Sequence, residues 1–313
     1  MSDIFRRFRD SASGEDDGDD DESKTSSAYR RIREAEILAA IDHLPSLPVI
    51  VQRILGSLSD DRTDAKALDG LISQDMVIAG RVLKLVNSPF YSTRSSVSSL
   101  QQAVAMIGQR SLRTLVVAAS SRDVMSADVS AYGFIDNGLW LNSMVTASAS
   151  RRCAELVGCS TQEADEAFVA GLLRDVGMLV LGPMMKEKGV VLSRSKTNGI
   201  DIIDRERNAV GFDHCWVGER VAQKWGLKDK LLTSITRHHR VSAGVPEDQR
   251  RFLAVLRIAE RIAYTAKAGV KDAHPFDTTI DAPLLRAGGM NQDAFKTLVH
   301  EVPHIIESAR GEL

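Results

Sequence analysis

From Tyr29 onward the apolar residues recur at helical rather than alternating spacing, and β-branched runs bounded by hairpin turns are hard to find. The pattern predicts an all-α fold. Ile32, Leu38 and Ile41 sit among Arg and Glu and mark a first helix. Pro45 to Pro48 breaks it and opens a second, continued by Val51, Ile54, Leu55 and Leu58, because proline is tolerated in a first helical turn but not in an interior. Leu68, Leu71 and Ile72 introduce a third helix, and Val77 to Val86 a fourth. Ser98 followed by Gln101 reads as a capping box, with Gly108 as the stop before another helix from Ser111 to Val124.

A second block starts near Asp136, past a loop from Met125 to Gly133. Ser160 and Glu163 form a capping box at the head of a helix in which Phe168, Leu172, Val176, Leu179 and Val180 share one buried stripe. A polar loop with helix-forming patches, Lys186 to Ala209, leads to a helix beginning near His214, with Val217, Val221 and Trp225 on one face. Helices from Lys230 to His239 and from Arg250 to Ala266 follow. After a loop at Gly269 to Pro283, Phe295, Leu298, Val299, Val302, Ile305 and Ile306 make a last amphipathic helix, with a kink expected at Pro303.

Composition narrows the function class. The 313 residues are 43% hydrophobic and 26% charged, in the globular range, and one or two packed domains are expected. A net charge of −2 lacks the positive footprint that phosphate neutralisation requires, so nucleic acid is not the expected partner. Cys153, Cys159 and Cys215 form no CxxC pair, which argues against a disulfide framework and a cysteine-ligated zinc, and fits a reducing cytoplasm. The opening MSDIFRRFRD is too charged for a secretory segment. No later apolar run approaches the roughly 20 residues of a bilayer span, so a soluble cytoplasmic chain without a transmembrane segment is expected. Ser11 to Ser27 is an acidic stretch without a large apolar side chain, expected to be a disordered tether. Ahead of it, Ile4, Phe5 and Phe8 line one side of a short helix ringed by Arg6, Arg7 and Arg9. That peptide, Met1 to Asp10, is either a frayed terminus or a docking or membrane-surface element on a leash.

The chemistry-bearing residues are Asn142, Arg174-Asp175, His214, His238-His239 and Glu260. Around them stand LPSLPVIVQRIL from Leu44, ISQDMVIAGRVLKLVNSPFYS from Ile72, SLQQAVAMIGQRSLRTLVV from Ser99, NAVGFDHCWVGERVAQKWGL from Asn208, and ITRHH ending at His239. From about Ile37 to Ala266 the chain resembles the HDOD domain family, the signalling branch of the HD metal-dependent phosphohydrolases. The resemblance implies an N-terminal helical subdomain (29–130) packed on a degenerate HD-type helical subdomain (131–266), between an acidic tether (1–28) and a C-terminal extension (267–313).

An active HD hydrolase has His, His-Asp, further His residues and a closing Asp converging on one or two divalent ions that activate water against a phosphoester. Here the corresponding patterns read Trp140-Leu141-Asn142-Ser143 and Arg174-Asp175, and Met178 stands where active versions carry Lys. Asn offers an uncharged amide oxygen, and Arg is no ligand at all. The expectation is therefore no catalytic residues, no metal and no cofactor at a vestigial site. Arg174 should curl into the old metal position and neutralise Asp175 or Glu260, since a buried carboxylate must be paired or take up a proton. Adjacent helical residues diverge by about 100°, so His238 and His239 are not expected to share the site without help from rotamers.

The expected function is a non-catalytic regulatory scaffold that binds a protein partner in a signalling pathway, with room for a small ligand such as a nucleotide. The alternatives are a divalent-metal phosphohydrolase acting on a nucleotide or cyclic dinucleotide, and a metal or nucleotide sensor without turnover. The oligomeric state is left open.

Overall fold

The computed structural model describes residues 31–56, 75–88, 91, 96–192, 201–241, 245–272, 276 and 281–311. The terminal peptide 1–10, the acidic stretch 11–27 and the helix expected around Leu68 to Ile72 lie outside these residues. Among the described residues the protein is all-α, with one isolated antiparallel bridge between Phe134 and Val270. In chain order the helices are α1 (Glu34–His43), α2 (Val49–Gly56), α3 (Met76–Val86), α4 (Leu100–Ser121), α5 (Gly138–Leu156), α6 (Thr161–Leu173), α7 (Met178–Glu187), α8 (Ile202–Val210), α9 (His214–Lys224), α10 (Asp229–Arg237), α11 (Glu247–Thr265), α12 (Ala282–Gly288) and α13 (Gln292–Arg310).

Helix α5 is the axis. It packs against α6, α11 and α13, while α3 and α2 pack on α4, and α4 packs on α6. So central an element is buried nearly all round: from Gly138 to Ser150 every residue is buried, and its polar members Asn142, Ser143, Thr146, Ser148 and Ser150 are buried with the rest. A helix enclosed on all sides loses the two-faced pattern that marks surface helices. Helix α1 sits against α7 and α9. The Lys224 ammonium donates to the free carbonyls of Ile41, Asp42 and Leu44 at the C-terminus of α1, and the Trp225 indole donates to Pro45. A cation at a helix C-terminus satisfies carbonyls that have no intrahelical partner.

Several element ends differ from the sequence reading. The cap of α4 is Ser99, whose hydroxyl accepts from the Gln102 amide, and Ser98 instead bonds the Gln102 side chain. Gly108, at φ 78°, breaks α4 where a stop was expected, but the second part ends at Ser121 rather than Val124. In the first helix Ile37 is buried and Leu38 exposed, one position from the expected stripe. The helix expected from Phe168 through Val180 is two helices, α6 and α7, separated by the turn Arg174 to Gly177. Pro303 does not interrupt α13, which runs on to Arg310. One stretch, Thr161–Glu187, does reach bilayer length and hydropathy, contrary to the sequence reading. Its apolar window is 89% buried inside the fold and it has Arg174 and Asp175 in its middle.

Candidate functional site

The turn between α6 and α7 places Arg174 and Asp175 at the centre of the protein, both fully enclosed. It can approach α9 closely only because residue 177 is glycine. A Cβ there would lie 1.9 Å from the His214 carbonyl oxygen and 2.6 Å from the Gly218 nitrogen. Around this turn, α5 contributes Asn142, the first residue of α9 is His214, His238 and His239 follow α10, and α11 contributes Glu260. Asp213 fixes the start of α9 by accepting from the Trp216 amide at 2.7 Å.

Arg174 faces inward. Its Nη1 donates to the Gly171 carbonyl at 2.7 Å, and its Nη2 donates to Asn142 Oδ1 at 2.6 Å and lies 2.8 Å from Asp175 Oδ2. The other end of the Asn142 amide donates to the Ala268 carbonyl at 2.9 Å. Burial raises the carboxyl of Asp175, but the Arg174 guanidinium and the facing imidazoles outweigh it and hold the group well below the usual carboxylate range. Arg174 therefore takes Asp175 as its partner. Glu260 pairs with Arg257 at 2.7 Å.

The second oxygen of Asp175 faces two imidazoles. Oδ1 is 3.3 Å from His238 Nε2 and 3.5 Å from His214 Nε2, and these two nitrogens are 3.3 Å apart. The far nitrogen of each ring is committed. His214 Nδ1 donates to Glu206 at 2.8 Å, and the His214 amide donates to the same carboxylate at 3.1 Å. His238 Nδ1 donates to the Ser234 carbonyl at 2.9 Å. Burial lowers both imidazoles, but the Glu206 carboxylate beside His214, and Cys215 and Asp175 beside His238, outweigh it and hold His214 well above its usual range and His238 up at about 10.

His239 completes the group. Its Nδ1 is 3.3 Å from Asp201 Oδ1 and its Nε2 is 3.9 Å from Glu260 Oε1. One ligand atom from each of Asp175, His214, His238 and His239 fits within 4.8 Å of the others. The expected divergence of the two adjacent histidines does not apply, because α10 ends at Arg237 and the pair lies past it, with ring centroids 4.4 Å apart. Burial and the Arg257 guanidinium push His239 down to about 3, which leaves it neutral.

The structure thus brings all seven sequence candidates into one buried cluster and adds four residues that the sequence reading missed: Glu206, Asp201, Arg257 and Ser234. Glu206 and Asp201 come from α8 and its cap, in a stretch read as a polar loop with helix-forming patches. The available signal was Asp201 as an N-cap ahead of Ile202, Ile203 and Val210.

The donor set can be tested against the metal that an HD-type site implies. Positions 142 and 174 do not fit, since a guanidinium bonded to both Asn142 and Asp175 fills the space between them. Asp175, His214, His238 and His239 do fit. They are a carboxylate and three imidazoles, two of which bond a carboxylate or a carbonyl through the outer ring nitrogen, as metal-bound histidines generally do.

A model of the HDOD domain family matches residues 44–241. The chain belongs to the HDOD domain family. This family is related to the HD phosphohydrolases, which accounts for the residue pattern of the cluster. An HDOD domain protein from Geobacter sulfurreducens is 26% identical and superimposes with a TM-score of 0.74, over 89% of this chain and 96% of that one. A provisionally assigned phosphohydrolase from Shewanella amazonensis SB2B, 22% identical, superimposes with a TM-score of 0.65 over 89% and 98%. That second likeness speaks to the fold alone. An uncharacterized protein of Treponema pallidum (strain Nichols) is 25% identical over 228 residues, 72% of this HDOD chain but only 43% of that relative's length.

Proposed function

We propose that this HDOD protein is a non-catalytic regulatory scaffold that binds a protein partner and uses its buried pocket for control rather than turnover. The observation that carries the reading is Arg174. Phosphoester hydrolysis by an HD-type site needs a metal-bound water at an open coordination position next to substrate. Here a permanent cation bridges Asn142 and Asp175, and Asp175, His214 and His238 are all fully enclosed. None of the three side chains has any exposed surface in this arrangement. Met178, also fully buried, adds no cation to steady a phosphate.

The reading is tested by incubating the full chain with manganese, iron(II) or zinc and following an activated phosphodiester, mononucleotides and cyclic dinucleotides under single-turnover conditions. No product above a metal-only control is expected. Product formation that disappears in Asp175→Asn would overturn the scaffold reading in favour of a phosphohydrolase. The convergence of Asp175 with three histidines favours a second reading, a metal-responsive sensor without turnover.

A further inference from the structure

Helix α13 carries a motif that the buried cluster does not use. Residues 300–304 read His-Glu-Val-Pro-His, two histidines four apart with a glutamate behind the first. Leu298, Val299, Val302, Ile305 and Ala309 are buried and the helix packs on α5, so its opposite stripe is held outward. On that stripe stand His300, His304 and Glu307, all exposed, at i, i+4 and i+7 positions that share one helix face. Among the described residues neither imidazole forms a hydrogen bond or an ion pair, and His304 accepts from the Ser308 hydroxyl through its backbone carbonyl.

The spelling is that of a metalloprotease helix, in which two histidines hold zinc and the glutamate is the general base. Here the glutamate is occupied: Glu301 accepts from two nitrogens of Arg152 on α5, at 2.6 and 2.9 Å, so it is not free to take a proton from water. Pro303 sits between the histidines. It has no N–H, so the Val299 carbonyl meets no amide one turn on, and the turn from Val299 to Pro303 is one hydrogen bond short. The histidines straddle that same turn. Helical side chains four apart start about 5–6 Å from each other at Cβ, close enough for two imidazoles to reach one ion at about 2.0–2.1 Å.

We propose that His300 and His304 together bind one divalent transition-metal ion on the outer face of α13, and that this ion clamps the turn weakened by Pro303. Imidazole pairs suit zinc, nickel and copper(II), with water in the remaining positions and the Glu307 carboxylate adding negative charge one turn on. The clamp acts on the helix that Glu301 fastens to Arg152, so metal tightens the docking of α13 on the axis of the fold. The site is distinct from the buried cluster, since Arg152 lies ten residues past Asn142, about 15 Å along α5. It stands whether or not the buried pocket turns over a substrate.

The test strips the full chain with a chelator and titrates wild type and the His300→Gln, His304→Gln double variant with zinc. Both residues are exposed, so the metal-free variant should unfold at the wild-type urea midpoint. Calorimetry is expected to count one equivalent fewer in the variant, and whatever the buried cluster takes up is common to the two proteins. In wild type, zinc should move the imidazole proton resonances of His300 and His304 together and raise the melting temperature by more than in the variant. Pro303→Ala returns the missing amide without changing the spacing of the histidines, so it should keep the equivalent and shrink the zinc-dependent rise. Equal stoichiometry in wild type and double variant, or resonances that stay in place, would overturn the site. A rise as large in Pro303→Ala as in wild type would overturn the clamp.

Discussion

Replacing Arg174 by alanine removes the cation that touches Asp175 Oδ2. The guanidinium is fully enclosed and makes three contacts, to the Gly171 carbonyl, to Asn142 Oδ1 and to Asp175 Oδ2, all between 2.6 and 2.8 Å. The alanine variant leaves a buried carboxylate and a buried amide oxygen without those partners, together with a cavity the size of the lost side chain. Breaking a buried pair by removing one member typically costs about 3–5 kcal/mol, against about 0–1 kcal/mol for an exposed pair. For a chain of this size each kcal/mol moves the melting temperature by about 2 °C, so a drop of about 6–10 °C is expected. Calorimetry and urea titration of metal-free protein measure it, with an unchanged urea slope showing that the two-state comparison holds. Asp175→Asn in the Arg174→Ala background should recover part of the loss, because the uncompensated charge is then gone. Arg174→Lys should fall between, since one ammonium cannot serve three diverging acceptors as a planar fork does. A melting temperature within about 1 °C of wild type in Arg174→Ala would refute the buried pairing and the replacement of a metal by an internal cation.

Gly177→Ala should cost about 1–3 kcal/mol or more, because its methyl would strike backbone of α9 rather than a yielding side chain; an unchanged melting temperature would show that the turn and α9 are not in contact. His239 is held down to about 3 in the folded protein, so below its unfolded value of about 6.5 the unfolded chain takes a proton that the folded one refuses. Stability should therefore fall as pH drops from about 6.5 toward 3, and His239→Gln should flatten the upper part of that slope, read from urea midpoints at successive pH values. Below about pH 4.5 the depressed carboxyls of Asp175 and Glu260 add to the loss, which makes the window above it the diagnostic one. The pair Asn142→His and Arg174→His removes the internal cation and supplies two imidazoles beside Asp175, so elemental analysis should find one more equivalent of divalent metal than in wild type. No gain in a folded double variant would mean that positions 142 and 174 no longer converge on a ligand geometry.

What the sequence made legible follows from where local chemistry was self-sufficient. The capping box of Ser160 and Glu163 and the break at Gly108 need no tertiary context, and both stand in the structure. The pairing of Arg174 with Asp175 could be read because a buried carboxylate beside an arginine has few other outcomes. The break between α6 and α7 was hidden for the opposite reason. Every residue from Ala164 to Leu173 is buried, so the apolar pattern runs on through the turn and periodicity cannot register an end. The His238 and His239 geometry was missed by assuming that the helix continues, when its last turn ends one residue earlier. Glu206 was missed because α8 is short and dominated by charged residues, although that carboxylate decides which nitrogen of His214 faces Asp175.

Asn142 and Arg174 make sense only as a pair. Each taken alone looks like the loss of a ligand, yet the Asn142 amide accepts from Arg174 at one end and donates to Ala268 at the other. Ala268 leads directly into the segment that bonds back across Gly133 to Ile135, where the Ile135 amide donates to Gly269 and the Lys271 amide donates to Gly133. The Gly269 oxygen lies so close to Gly138, the first residue of α5, that neither position leaves room for a Cβ. The internal cation therefore does more than neutralise Asp175. Through one amide it is fastened to the strand-like contact that ties the end of α11 to the start of α5.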